Sequence, residues 1–303
     1  MTSWKPTAAV LYSEIILSLY PILIKSVSTN LFTQTFARFL VFPALALAAG
    51  GLKESSKAWA TPQQAGHSTA FGAMNLLHIA SSYRAFHDLP AGVAMSLFYT
   101  YPIWNVLGAR IFFGETIPVR LLPFFALAIV GTYLIATSDT SQAAEHKTKT
   151  EETEISSNGK VVRGVIAALV AALTETGLFL AVRGSEFGNP FASVQQFYPA
   201  GLAFMALAAA GSAWKSGTPL LDLKWRNWIP LIVFNALLGF TGYTARFFSI
   251  PNLPTVIFSI LSFVGVMASY LWGSMFAGET PGRRAVIGSG VLAAAIAGIR
   301  LTG

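Results

Sequence analysis

The chain reads as long apolar blocks separated by short polar breaks. A helix needs about 20 apolar residues to cross a bilayer. Ten blocks approach that length: Ala8–Ser28, Thr33–Gly50, His67–Phe86, Pro90–Phe112, Pro118–Thr137, Val161–Val182, Phe191–Gly211, Trp228–Phe248, Leu253–Ala277 and Arg284–Leu301. Inside them the apolar residues are nearly featureless in period, which suits lipid-facing helices better than amphipathic ones on a soluble core. One long polar segment interrupts the series, Ser138–Lys160, rich in Thr, Ser, Glu and Lys with Ile155 as its sole large apolar residue. Such a stretch cannot bury enough surface to dock and predicts a flexible linker. The organisation expected is therefore a transmembrane unit over residues 1–137, a linker over 138–160 and a second unit over 161–303.

The two units share a repeat. Asp88–Thr116 and Asn252–Thr280 align over 29 positions without a gap, at a constant offset of 164. The identities include Leu89/Leu253, Pro90/Pro254, Phe112/Phe276, Gly114/Gly278, Glu115/Glu279 and Thr116/Thr280. Shared leucines mean little in apolar helices; a shared Leu-Pro entry and Gly-Glu-Thr exit mean more. Five spans per half is an odd number, so the second half must sit upside down relative to the first. The fold class expected is an all-α integral membrane protein: ten transmembrane helices as two inverted five-helix repeats, a transporter design with its site near the midplane.

Composition sharpens this. Hydrophobic residues make up 54% and charged residues 11% of 303, too few charges to cover a soluble surface. The absence of cysteine excludes disulfide frameworks, thiol catalysis and Cys-ligated zinc. The four histidines lack zinc-protease spacing and no phosphate-binding loop appears, so neither an enzyme, nor a cofactor, nor an ATPase motor is expected. The net charge of +7 speaks for topology and anionic headgroups rather than for nucleic acid. The N-terminal apolar segment is too long for a signal peptide and reads as the first span.

With Pro21…Lys25 in the first span, Arg38-Phe39 entering the second, and the Leu89-Pro90…Pro102…Gly114-Glu115 block repeated up to Gly278-Glu279, the chain resembles the drug/metabolite transporter superfamily in its ten-helix EamA-type branch. The resemblance implies a multi-pass protein of the cell (inner) membrane with cytoplasmic termini and a central cavity between the halves. It also implies export or exchange of small solutes, often amino acids or amines.

Charged residues inside the spans point to the site. Glu14 lies in the first span and Glu175 in the sixth, its counterpart in the second half. A carboxylate in hydrocarbon is costly and usually faces a wet interior. The small multidrug resistance proteins of the same superfamily carry an essential Glu followed eight residues later by a Lys. Glu175…Arg183 has that spacing, whereas Glu14…Lys25, eleven residues apart, does not. Two inverted halves would bring both carboxylates to one pocket, where a proton held between them is displaced by a cation. The competing reading is that each Glu only bonds neighbouring hydroxyls.

Other candidates for the cavity are Asn75 and His78 in the third span, Tyr99 and Trp104 in the fourth, and Tyr243 and Arg246 in the eighth. Tyr99 and Trp104 would form an aromatic wall against an organic cation; His78 would relay protons. Arg84 and Arg246 sit near span ends, where snorkelling to headgroups is the default. Facing inward instead, they would favour a carboxylate-bearing solute. Glu115 and Glu279 have a structural reading, as carboxylates at the positive end of a following helix. Gly290, Ala294 and Gly298 at four-residue spacing permit close helix approach, either within the chain or in a homodimer. The partners expected are a small-molecule substrate, the bilayer, and protons or a counter-substrate. The function expected is secondary active transport. The rivals are an exchanger for phosphorylated or nucleotide-linked sugars, which needs basic residues near the midplane, and a non-transporting receptor or assembly protein, which needs a collapsed, dry interior.

Overall fold

The computed structural model describes residues 4–137, 151–185, 189–278 and 280–301, which are helical and contain no strand. Six segments are long and apolar enough to cross a membrane: Trp4–Ser26, Leu31–Gly50, Gly159–Arg183, Pro190–Lys215, Trp225–Asn252 and Thr255–Phe276. Val119–Ile135 is apolar but shorter.

In chain order the helices are α1 (Trp4–Leu17), α2 (Tyr20–Ser26), α3 (Leu31–Lys57), α4 (Pro62–Asp88), α5 (Ala91–Phe98), α6 (Tyr101–Phe113) and α7 (Leu122–Ala136). They continue with α8 (Glu151–Arg183), α9 (Pro190–Phe197), α10 (Pro199–Ser216), α11 (Trp225–Phe234), α12 (Phe240–Asn252), α13 (Thr255–Ser262), α14 (Val264–Ala277) and α15 (Arg283–Leu301). Helix α8 starts at Glu151, inside the segment expected to be a linker; the rest of that segment, 138–150, lies outside the described residues.

Local chemistry sets the ends. The Asn30 side chain accepts from the Thr33 amide at 2.8 Å to cap α3. At α4 Thr61 and Gln64 form a reciprocal capping box, with Pro62 at the first turn. Helix α4 spans 27 residues yet is too polar to count as an apolar span, because Asn75, His78 and Ser82 share one buried face.

Several helical segments are broken in the middle. Proline starts the second piece at Pro21, Pro102 and Pro199, where its missing N–H costs nothing. A five-residue π-helical stretch, Asn235–Gly239, joins α11 to α12. Within the 29-residue sequence repeat, one pair of helices has coincident limits. Adding 164 to the limits of α5 gives those of α13, and both pieces are followed by a break. Their continuations end on Gly114 and Gly278, with φ of 63° and 66°, a left-handed cap that favours glycine.

The halves are packed into each other. Helix α4 lies along α8, α1 along α12, α3 along α9 and α7 along α15. In the last pair Gly131 and Gly288 allow near-contact of backbones: a Cβ on Gly288 would stand 2.6 Å from the Gly131 carbonyl oxygen. The Gly290–Ala294–Gly298 series is therefore not one seam. Gly290 meets open space, Ala294 is exposed, and Gly298 packs against Phe124.

Candidate functional site

Where the broken helices meet, a buried ionic cluster joins the two halves. Arg246, on α12, reaches Glu14 Oε1 with Nη1 at 2.8 Å and Glu175 Oε1 with Nη2 at 2.7 Å. The second contact is close but poorly aligned for a hydrogen bond, so it acts mainly as charge against charge. Glu14 also accepts from the Tyr99 hydroxyl at 2.6 Å and the Tyr101 hydroxyl at 3.2 Å. Glu175 Oε2 stands 3.1 Å from His78 Nε2, and His78 Nδ1 contacts the Ala171 carbonyl at 3.1 Å. The guanidinium lies over the Tyr101 ring, 4.8 Å from its centroid. Glu14, Glu175, His78 and Arg246 are all at most 2% exposed.

The two carboxylates thus meet on one guanidinium, so a cation of the chain itself stands between them. This corrects the expectation that Arg246 lies at the headgroups. Arg84 does conform: its side chain is 42% exposed and sits 3.8 Å from Asp88. Trp104 is corrected as well. It is 43% exposed and makes no wall with Tyr99, whose ring is buried against Tyr101 and Phe98. Asn75 is buried but structural, its amide donating to the Phe197 carbonyl at 3.0 Å and tying α4 to α9.

A second buried cation was not anticipated. Arg38, on α3, is surrounded by aromatic rings, with Tyr243 at 4.3 Å, Tyr20 at 4.7 Å, Phe42 at 5.1 Å and Tyr83 at 6.0 Å. Its Nε and Nη2 both donate to the Tyr198 hydroxyl, at 3.3 and 3.2 Å. Arg38, Arg246, His78, Ser82, Tyr99 and Tyr243 line one closed cavity of about 20 Å³. That is room for about one water. The centre is therefore charged and shut. A larger cleft, about 670 Å³, opens where α4 begins and α8 ends, and reaches inward as far as Met74 and Gly177. Met74 is one helical turn from His78, and Gly177 is two residues from Glu175.

Helix α8 is also tied at both ends. Near its start Arg163 Nε donates to Asp88 Oδ2 at 2.7 Å, and His87 contacts Asp88 Oδ1 at 2.8 Å. Burial works against the Asp88 charge, but the hydrogen bonds from Arg163 and His87 outweigh it and hold its carboxyl below the usual range. At the other end Arg183 Nε donates to Glu115 Oε1 at 2.8 Å and its Nη1 to the carbonyls of Ile250 and Leu253, both at 2.6 Å. Glu115 Oε2 in turn accepts from the Thr255 amide at 3.4 Å. Glu115 does meet a helix N-terminus, but that of α13 in the other half rather than that of the helix following it. Glu279 lies outside the described residues.

No curated protein matches the sequence. Chains of solved structures do resemble the fold. One crystal structure, 15% identical, superposes over 100% of both chains with a TM-score of 0.71. At that identity the likeness speaks for the fold alone. The family comparison agrees with the apolar helices in making this a multi-pass integral membrane protein. Residues 5–137 match the model of the EamA-like transporter family, a likeness consistent with the drug/metabolite transporter superfamily.

Proposed function

We propose that the chain is a secondary active transporter that moves a small polar metabolite by alternating access, with the Glu14–Arg246–Glu175–His78 cluster as its coupling site. The observation that carries this is the meeting of two carboxylates, from corresponding spans of the two halves, on one guanidinium at a closed centre. Ten spans in two inverted repeats, with termini in the cytoplasm and the protein in the cell membrane, is the architecture this reading requires. The matching breaks of α5 and α13 support it, as does the reciprocal packing of α1 with α12 and α4 with α8. Export or exchange of amino acids or amines follows from the family resemblance. A dimer seam is not needed for the site.

The cluster sets two carboxylates against one guanidinium. A proton at the His78–Glu175 contact changes its net charge by one and weakens the hold of Arg246 on Glu175. That one-charge change gives the bundle two electrostatic states. Glu14→Gln and Glu175→Gln keep the shape of each side chain while removing its charge. Both variants should fold, and flux into proteoliposomes should lose its pH dependence, with the double variant no worse than the more damaging single one. An unchanged pH profile in both single variants would remove the coupling role.

An exchanger for phosphorylated or nucleotide-linked sugars is favoured by one observation. The basic residues do not all cluster at span ends, because Arg38 and Arg246 are both buried beside the central cavity. The non-transporting reading gains from the small volume of that cavity, but a dry assembly core has no use for two guanidinium groups and two carboxylates.

A further inference from the structure

We propose that Arg38 and the tyrosines around it form an oxyanion-binding subsite, which takes the carboxylate or phosphate of the solute. The proposal rests on the transporter reading and names the chemistry of its substrate.

The Arg38 side chain is 2% exposed, and among the described residues no carboxylate pairs with it. Arg246 holds two such partners and Arg183 one. A buried guanidinium without a counter-ion is costly, and ring faces offset that only in part. Its well-aligned hydrogen bonds among the described residues both go to the Tyr198 hydroxyl; the Tyr83 and Tyr243 hydroxyls lie within reach in poorer geometry, and none of these neutral acceptors matches the charge of a planar fork with five N–H donors. That fork matches a carboxylate or phosphate edge, which an ammonium would not.

A second, independent observation points to the same ligand. The hydroxyl of Tyr83, beside Arg38, is buried and makes no well-aligned hydrogen bond. Its polar neighbours are Arg38, which can only donate, and the Tyr20 hydroxyl, so an added acceptor oxygen would give its proton a well-aligned bond. The neighbouring Tyr20 hydroxyl is already committed to Asn235 Oδ1 at 2.8 Å. Both Arg38 and Tyr83 are thus short of the same thing, an acceptor oxygen, and Arg38 lines the central cavity.

The carboxylates tell the same story from the other side. Glu14 is engaged by Arg246, Tyr99 and Tyr101, and Glu175 by Arg246 and His78. A simple amine entering this pocket meets carboxylates already set against the Arg246 charge, although Glu175 Oε2 has no well-aligned hydrogen bond. An anion meets Arg38. The cavity must widen to admit it, which places binding in the open conformations of the transport cycle.

The test uses the full-length protein in detergent, with inorganic phosphate, acetate, glycerol and methylammonium as probes and thermal protection as readout. Phosphate or acetate should protect, glycerol and methylammonium should not, and Arg38→Gln should weaken the anion at least about tenfold. Arg38→Lys, which keeps the charge but loses the fork, should fall between. Because Arg38→Gln risks poor folding, Tyr83→Phe serves as the second variant. It removes only a hydroxyl that makes no well-aligned hydrogen bond, so it should change the melting temperature little and weaken the anion about threefold. Protection by methylammonium alone, or anion protection that survives both Arg38→Gln and Tyr83→Phe, would overturn the subsite. Flux of the same probes into vesicles, run in parallel, separates the two readings. Flux of an amine without anion binding overturns the subsite and leaves transport standing. Anion binding lost in Arg38→Gln, with no flux in the parent protein, supports the subsite and overturns transport. Neither binding nor flux overturns both.

Discussion

Arg246→Leu should be the most destabilising single substitution in the molecule. The parent guanidinium is 2% exposed and stands between Glu14 and Glu175 at 2.8 and 2.7 Å. Leucine leaves two buried carboxyl groups without their cation, with only tyrosine hydroxyls and a histidine for company. Removing one partner of a buried ion pair costs about 3–5 kcal/mol, since the remaining charge is uncompensated. Unfolding in detergent, followed by temperature or denaturant, reads this directly. The control is the triple variant Glu14→Gln, Glu175→Gln, Arg246→Leu, in which no uncompensated charge remains. It should recover most of the lost stability while remaining inactive. Arg246→Leu with parent-like stability would mean that the carboxylates do not depend on Arg246.

Gly265→Ala should act on the same cluster through packing. Gly265 lies on α14 just after the break at Phe263, and a Cβ there would run into the Tyr99 hydroxyl and ring. Tyr99 cannot simply swing away, because its hydroxyl is held 2.6 Å from Glu14 Oε2. Either that hydrogen bond is given up or α14 moves away from α5. Overpacking of this kind costs about 1–3 kcal/mol. The accompanying loss of flux should be larger than the loss of stability suggests, because the distortion falls on the coupling site. Tyr99→Leu in the Gly265→Ala background makes room, so the double variant should be less damaged than the sum of the singles. Strict additivity would show that the two residues do not press on one another.

How much of this was legible in the sequence differs by residue, for physical reasons. The pairing of Glu14 with Glu175 followed from the cost of charge in apolar helices and from the repeat. The place of Arg246 did not. A span ending at Phe248 puts that residue near the headgroups, but α12 continues to Asn252, and four more residues move it inward by about 6 Å. Trp104 was grouped with Tyr99 although five residues turn a helix by about 140°. The break between α5 and α6 then separates them further.

The tyrosine cage had a signal that went unread. The chain contains three Tyr-Pro pairs, Tyr20-Pro21, Tyr101-Pro102 and Tyr198-Pro199. Each proline restarts a broken helix, and each tyrosine lies at that break, against Arg38 or Glu14. A proline inside an apolar span interrupts the backbone ladder where neighbouring helices must compensate, so the residue before it is a natural candidate for the interior. Arg38 carries no comparable mark. Its environment is assembled from α2, α4, α12 and the α9–α10 junction, and only the packing of those elements reveals that, among the described residues, no acid accompanies it.

On the transporter reading, the charged chamber around Ser82, shut here, opens to each side of the membrane in turn. The chain has no cysteine, so Ser82→Cys gives a single thiol on an otherwise native background. Ser82 is 4% exposed and lines the cavity with Arg38, His78 and Arg246. The decisive measurement is the labelling of that thiol in proteoliposomes by a membrane-impermeant reagent, applied to one side at a time. The account predicts that the thiol is reached from either side but never from both at once, and that a solute or pH gradient shifts labelling from one side to the other. A thiol protected from both sides under every gradient would contradict it and make the centre a static core.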